Sequence, residues 1–166
     1  MTEPHKITIV EINPTPLAGM KINTNLQKNE AVALWKKFKP RVKEITNKKN
    51  DRFYSIQDYD HFDPIRFTSE TTFDRWAAVE IEKGDKLPKG MEPFEIPGGL
   101  YATFVHKGTV MDFSKALYYF FSQWLPNSDY VLENHPHFEV FDHRYLGPQN
   151  PDSIEDVFIP IKLKNK

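Results

Sequence analysis

The chain has 166 residues, with 22 basic and 23 acidic side chains and no cysteine. That length suits one domain or a pair of fused half-domains; the balanced charge removes any global electrostatic case for nucleic acid, and the missing thiols exclude disulfides, thiolate catalysis and cysteine-ligated zinc. No segment approaches the roughly 20 apolar residues a bilayer crossing needs, and the start, MTEPHKITIVEINP, lacks a signal peptide's basic and apolar pattern, so a cytoplasmic protein is expected.

Lys6 to Ile12 alternates and predicts a strand; Asn13-Pro14-Thr15-Pro16 interrupts it, and Leu17 to Ile22 is expected to resume it. From Asn29 the period turns helical, with Leu34, Phe38, Val42 and Ile45 on one face and Trp35 beside them. Asn29 suits the N-cap and Glu30 the positive end of the helix dipole. Pro40 deletes a backbone hydrogen bond within that run, so a bent helix or two segments are expected. Asn47 to Asp51 is a polar connector, Arg52 to Asp58 a strand, and Tyr59 to Phe73 an irregular loop. Arg75 to Glu82 is the next strand, and Lys83 to Lys89 a charged turn. Pro97-Gly98-Gly99 signals a turn, Leu100 to Val105 a strand, and Gly108 its end. Val110, Phe113, Leu117, Phe120, Phe121 and Trp124 then mark a helix face that Pro126 stops. His137 to Tyr145 and Ile154 to Lys162 are the last strands.

Strand, helix, strand, strand occurs twice, so the expected fold is α+β: a tandem pair of β-α-β-β units with a mainly antiparallel sheet and two main helices. The pseudo-repeats fall at about 1–88 and 89–166 of a single domain. Trp35 and Trp124 hold comparable places 89 residues apart, as do Phe53 and Phe138, 85 apart. Each half is too small to bury both its helix and its sheet face, so two halves are expected to share a core and leave a groove between them. Aromatics make up 14% of the chain, a surplus that favours an aromatic-lined pocket in that groove.

The segments PGGLYATFVHKG, FFSQWLPNSDYVL, PHFEVF and EDVFIPIK resemble the second half of the GyrI-like family, while RVKEITN and RFYSIQDYD resemble its first half. These are effector-binding domains, found alone and fused to AraC- and MerR-type transcription regulators. The resemblance implies two β-α-β-β units around a central cleft, and a small-molecule ligand that is hydrophobic or cationic. It also implies two alternatives: hydrolysis of reactive cyclopropane-containing compounds, as in one branch, or inhibition of DNA gyrase, as in the namesake type.

Alternation puts Phe138 and Val140 on one face of their strand and His137, Glu139 and Phe141 on the other. In the last strand Val157, Ile159 and Ile161 oppose Asp156, Phe158 and Pro160; in Arg75 to Glu82, Ala77, Val79 and Ile81 oppose Trp76, Ala78 and Glu80. Each aliphatic face is expected under the helices, and each mixed face of aromatics and carboxylates in the cleft, where rings and an acid suit an apolar cation. The expected ligand-binding residues are Glu139, Phe141, Trp124, Phe120, Phe158, Asp156, Tyr54 and Trp76. The resemblance makes Glu139 the lead; in the hydrolytic alternative it is the base, with Tyr54 and Trp124 arranging the substrate. Phe141 and Phe158 stand where the family often has tyrosine, and Ser55 where the hydrolytic branch has glycine. His135 and His137 lack a third ligand, so no metal and no cofactor is expected. The basic run Lys36 to Lys49 reads as a solvated helix face. No phosphate or dinucleotide fingerprint is present, and the two halves leave no segment for a helix-turn-helix, so direct binding of nucleic acid is not expected.

Overall fold

Two proline-containing bends set the outline of the fold. In the computed structural model, which describes residues 6–83 and 86–165, β1 (Thr8–Ile12) runs through Asn13-Pro14 into β2 (Thr15–Thr24). Likewise β5 (Glu92–Ile96) runs through Pro97-Gly98 into β6 (Gly99–Lys107). The two bent strands pair antiparallel on both sides of the bend, Ile12 opposite Gly99 and Thr15 opposite Ile96. Between them lie α1 (Ala31–Phe38), β3 (Phe53–Asp58) and β4 (Phe73–Glu80). After them come α2 (Val110–Tyr119), β7 (Tyr130–Leu132), β8 (His137–Phe141) and β9 (Ile154–Leu163).

The sheet order is β1-β6-β9-β8-β3-β4-β2-β5, every pair antiparallel, with β7 added beside β9. A flat sheet would hold β1 and β2 roughly 29 Å apart, yet the link between them reaches at most about 11 Å. The sheet therefore curls until its edges meet. Its inner face is one shared core, with Leu17, Tyr54, Ile56, Trp76, Ile96, Tyr101, Phe138 and Val140 all buried. The rings of Phe138 and Phe158 stack at its centre, 4.7 Å apart. The outer face carries the helices, each over its own half. Leu34 and Phe38 of α1 cover Ala18, Met20, Ala77 and Val79. Ala116 of α2 and Phe120 cover Ala102, Phe104, Val157 and Ile159.

The halves are related by spacing. β1 and β5 begin at Thr8 and Glu92, β2 and β6 at Thr15 and Gly99, β3 and β8 at Phe53 and His137, each pair 84 residues apart. Trp35 and Trp124 do not follow this relation. Trp35 lies one turn into α1, whereas Trp124 ends the turn that follows α2.

Several local expectations are revised. The strands β5 and β7 went unread because one carries Pro93 between glutamates and the other has only three residues. Of the two outcomes expected at Pro40, a bend or two segments, the second is found: α1 stops at Phe38, and Pro40 lies in the first turn of a six-residue 3₁₀ segment, Lys39–Glu44, where its missing N–H costs little. Asn29 is not the N-cap. Its φ of 49° places it in the left-handed region, and Glu30 takes the cap position, its carboxylate accepting from Thr24 Oγ1 at 2.6 Å. In the second half Thr109 and Asp112 form a capping box that starts α2. Beyond Tyr119 the chain widens into a π turn, Phe120–Trp124, with the Leu125 N–H donating to the Phe120 carbonyl at 2.9 Å. The strand from His137 ends at Phe141 because the Asp142 carboxylate accepts from the Arg144 N–H and starts a turn. Gly84 and Asp85, at the centre of the expected charged turn, lie outside the described residues.

One backbone approach has no room for a side chain. A Cβ on Gly19 in β2 would strike the carbonyl of Ala77 and the Cβ of Ala78 on β4, both backbone-anchored. Gly19→Ala is expected to lower stability by about 2 kcal/mol or more, read as a lower urea midpoint at unchanged slope.

Candidate functional site

The halves join where β3 pairs with β8, and the register there sorts side chains between two faces. Tyr54 lies opposite Val140 and Ser55 opposite Glu139, while Glu139 in turn faces Val157 of β9. Directly opposed residues share a face. Glu139 therefore stands on the outer face with Ala77 and Val157, which lie under α1 and α2 respectively. Phe53, Ser55 and Gln57 of β3, with His137, Glu139 and Phe141 of β8, form the floor of a trough between the helices. Ser55 and Glu139 are 84 residues apart, so the acid has a serine at the matching place in the other half.

Aromatic rings wall this trough. Trp35 of α1 meets Phe53 edge-on at 5.8 Å and Phe141 at 5.9 Å, and Tyr145 stacks on Phe141 at 4.2 Å. From the α2 side, Phe121 lies 6.2 Å from the ring of His137. The loop after β3 folds over the floor: Tyr59 and Phe62 lie 5.3 and 4.7 Å from His137, and Phe62 reaches Phe121 at 5.2 Å. Phe67 backs Phe62 at 5.3 Å. These rings fill the space over the floor, and they leave Glu139 and His137 each only 7% exposed. The expected open groove is thus closed by the chain's own aromatics. A hollow of about 490 Å³ lies instead beside Leu17, Leu87, Met91 and Phe94, and one of about 520 Å³ along Leu146 to Asp152; neither borders Glu139.

The charge at the trough floor is poorly matched. Glu139 Oε1 accepts from the Gln57 amide at 3.0 Å, and among the described residues no lysine or arginine comes within ion-pair distance; Arg75 acts only from further off. A second acid, Glu155, continues the same face of β9 and is 8% exposed. Both acids are pushed up, Glu139 to about 7 chiefly by burial and Glu155 to about 8 by burial first and then by the charges of Glu139 and Asp156. Burial lowers His137 to about 3, so its ring is neutral.

Of the residues expected to bind ligand, Glu139 and Phe141 lie in the trough. Trp124 and Phe120 share that side of the sheet but belong to the core beneath α2. Phe120 is fully buried, and Trp124 stacks between it and Tyr130, at 5.1 and 6.4 Å. Tyr54, Trp76, Phe158 and Asp156 face inward, away from Glu139. The Tyr54 hydroxyl donates to Glu80 at 3.0 Å, Trp76 packs on Phe94, and Asp156 accepts from Arg144 at 2.8 Å. The hydrolytic arrangement fails on this point, since Tyr54 and Glu139 occupy opposite faces. The expectation that every aliphatic face lies under a helix holds for β4 and β9 but reverses at β8, where the shared inner core claims Phe138 and Val140. Trp35, Gln57, Tyr59, Phe62, Phe121 and Glu155 went unread as site residues. Only Glu155 left a plain signal, in line by alternation with Val157, Ile159 and Ile161.

A curled antiparallel sheet with one helix over each half is the α+β architecture to which the comparisons with known proteins also lead. Residues 5–162 match the GyrI-like small molecule binding domain, and the chain belongs to that family. It is 29% identical over 154 residues to the transcriptional regulator BrlR of Pseudomonas aeruginosa, covering 92% of this chain and 54% of that protein. It is 38% identical over 81 residues to a DNA gyrase inhibitor of Erwinia billingiae, covering 46% of this chain and 50% of the inhibitor. The chain thus spans about half the length of the curated relatives it matches. The fold superposes on SAV2435 bound to tetraphenylphosphonium with a TM-score of 0.68 at 11% identity, over 95% of this chain and 94% of that one. Among the described residues no helix is long and apolar enough to cross a membrane, and no group of three metal-ligating side chains forms.

Raised carboxyls bind protons more tightly in the folded chain than in the unfolded one. The contribution of these two acids to stability is therefore full below about pH 4.5 and is lost as pH rises to about 8, while the lowered His137 contributes in the opposite sense up to about 6.5. Glu139→Gln, whose amide oxygen still accepts from Gln57, is expected to gain on the order of 2 kcal/mol at pH 8 and almost nothing near pH 4. Urea melts at the two pH values measure the difference; equal effects at both would show that burial of the charge is not its source.

Proposed function

We propose that this domain binds a lipophilic cation in the trough between α1 and α2, with Glu139 as the counter-charge and Trp35, Phe121 and Phe141 as ring walls. The observation that carries this reading is a buried carboxylate at the seam whose hydrogen-bond partner is a neutral amide rather than a cation. A buried acid is stable as an ion only with a positive partner, and a cation spread over apolar groups loses little hydration on entry. Ring faces add attraction of about 0.5–2 kcal/mol each. The phosphonium bound by the structural neighbour has this chemistry. An acid of this kind makes the domain a sensor or a sequestering module rather than a hydrolase, because Tyr54 is turned away from Glu139. Association with gyrase is the competing reading, resting on a match to 46% of the chain; a pull-down that recovers gyrase would favour it.

Tetraphenylphosphonium titrated by tryptophan fluorescence tests the role of the acid. Glu139→Gln is expected to weaken binding about tenfold while an uncharged analogue of the same shape binds both proteins alike. Equal phosphonium affinity for mutant and wild type would remove the charge from recognition.

The ion must form before the cation is held, so affinity should fall as pH drops below about 7, by about tenfold per unit, and be flat above about 8. The Glu139→Gln protein should show no such slope.

Tyr59 and Phe62 fill the trough and must move aside when a ligand enters. Phe62→Ala is expected to raise phosphonium affinity several-fold by removing that competition, with faster association in stopped-flow. Weaker binding would show Phe62 to be a wall that the ligand needs.

A further inference from the structure

The outer face of β9 runs Ile161, Ile159, Val157 and then Glu155 toward the seam. Three aliphatic side chains in that row serve the core under α2, and a fourth would serve the fold better than an acid. Among the described residues no hydrogen bond and no ion pair reaches the Glu155 carboxylate, although it is 8% exposed. Asp156 next to it is turned to the other face, where Arg144 neutralises it at 2.8 Å. Across β6 the opposed residue is His106, whose Nε2 lies 3.3 Å from the Thr109 carbonyl.

Glu139 faces Val157, so Glu155 is its diagonal neighbour on the adjacent strand. Diagonal positions in an antiparallel pair lie roughly 7–8 Å apart. The two acids are close enough to feel each other's charge, and the Tyr145 hydroxyl lies in the field of both. Tyr145 stacks on Phe141, which places an aromatic surface alongside the pair. Among the described residues neither acid has a lysine or arginine partner, and two acids set diagonally beside one ring-lined floor form a more specific receptor than a single acid.

We propose that Glu155 is a second anionic arm of this trough, and that the domain prefers aromatic dications whose positive centres are about as far apart as that diagonal. The proposal rests on Glu139 acting as a counter-charge and extends it from charge sign to charge number. A singly charged ligand engages Glu139 alone; a dication meets both acids as ions, and Glu155 gives up to solvent whatever proton it still holds.

The matched probes are p-xylylene-bis(trimethylammonium) and benzyltrimethylammonium, titrated calorimetrically into the full chain at pH 8. Wild type should bind the dication at least about tenfold more tightly than the monocation. Glu155→Gln should bring that ratio down to about twofold, the statistical factor for two equivalent ends, while Glu139→Gln weakens both probes. An unchanged ratio in Glu155→Gln, with Glu139→Gln still weakening both probes, would overturn the second arm and leave Glu139 standing. If Glu139→Gln changes neither probe, the reading of the whole trough falls with it. Glu155→Leu, which suits the aliphatic row, serves as a second variant: it should melt higher than wild type and show the same lost preference for the dication. A Glu155→Leu protein that melts lower would mark Glu155 as structural and overturn the proposal.

Discussion

The pairing of β3 with β8 is the contact on which the site depends. It joins the halves, and its register assigns each side chain either to the shared core or to the trough. A slip of one residue would carry Glu139 into the ring-filled interior and leave Val140 between the helices. The inner core prevents this. Phe138 stacks on Phe158 and lies 5.5 Å from Tyr101, so the largest rings of the centre are satisfied only when β8 turns Phe138 inward. The acid is placed outside because its neighbours have to be inside.

That placement works against stability. Among the described residues no lysine or arginine forms an ion pair with Glu139 or Glu155, and both hold protons that ordinary carboxylates would lose. Natural folds depart from their stability optimum in this way at working sites. Tyr59 and Phe62 compensate for part of the deficit by covering the floor with ring area, but they bring no positive charge. On the proposed reading, a ligand that offers both rings and charge would replace Tyr59 and Phe62 and supply the charge they lack, so that binding and displacement of this loop would be one equilibrium.

The π turn after α2 belongs to the same design. A regular helix would have placed the rings after Tyr119 along one stripe. The widened turn sends Trp124 back over Phe120 toward Tyr130, while Phe121 reaches Phe62 and His137. One short segment thus fills the core under the helix and walls the trough. Widened turns of this kind recur at functional positions, because they change the direction of side chains without breaking the helix.

Much of this was legible in the residues. Period two and period 3.6, with Pro97-Gly98-Gly99 and Pro126 as punctuation, determined most strands, both helices, the α+β class and the doubled order of elements. The letters of FFSQWLPNSDYVL and EDVFIPIK carried the resemblance to the family, and those of PHFEVF drew attention to Glu139. Alternation along β9 also held the position of Glu155, one step before the row that was read. These are properties of a chain's local geometry, which sequence sets directly. Which face of β8 meets the helices was decided only by the tertiary structure, because faces are labelled by what packs against them and the shared inner core took Phe138 and Val140. The same packing turned Tyr54 and Trp76 inward, brought Trp35, Phe62 and Phe121 from three distant segments around one acid, and closed the trough with a loop whose sequence carries no period at all.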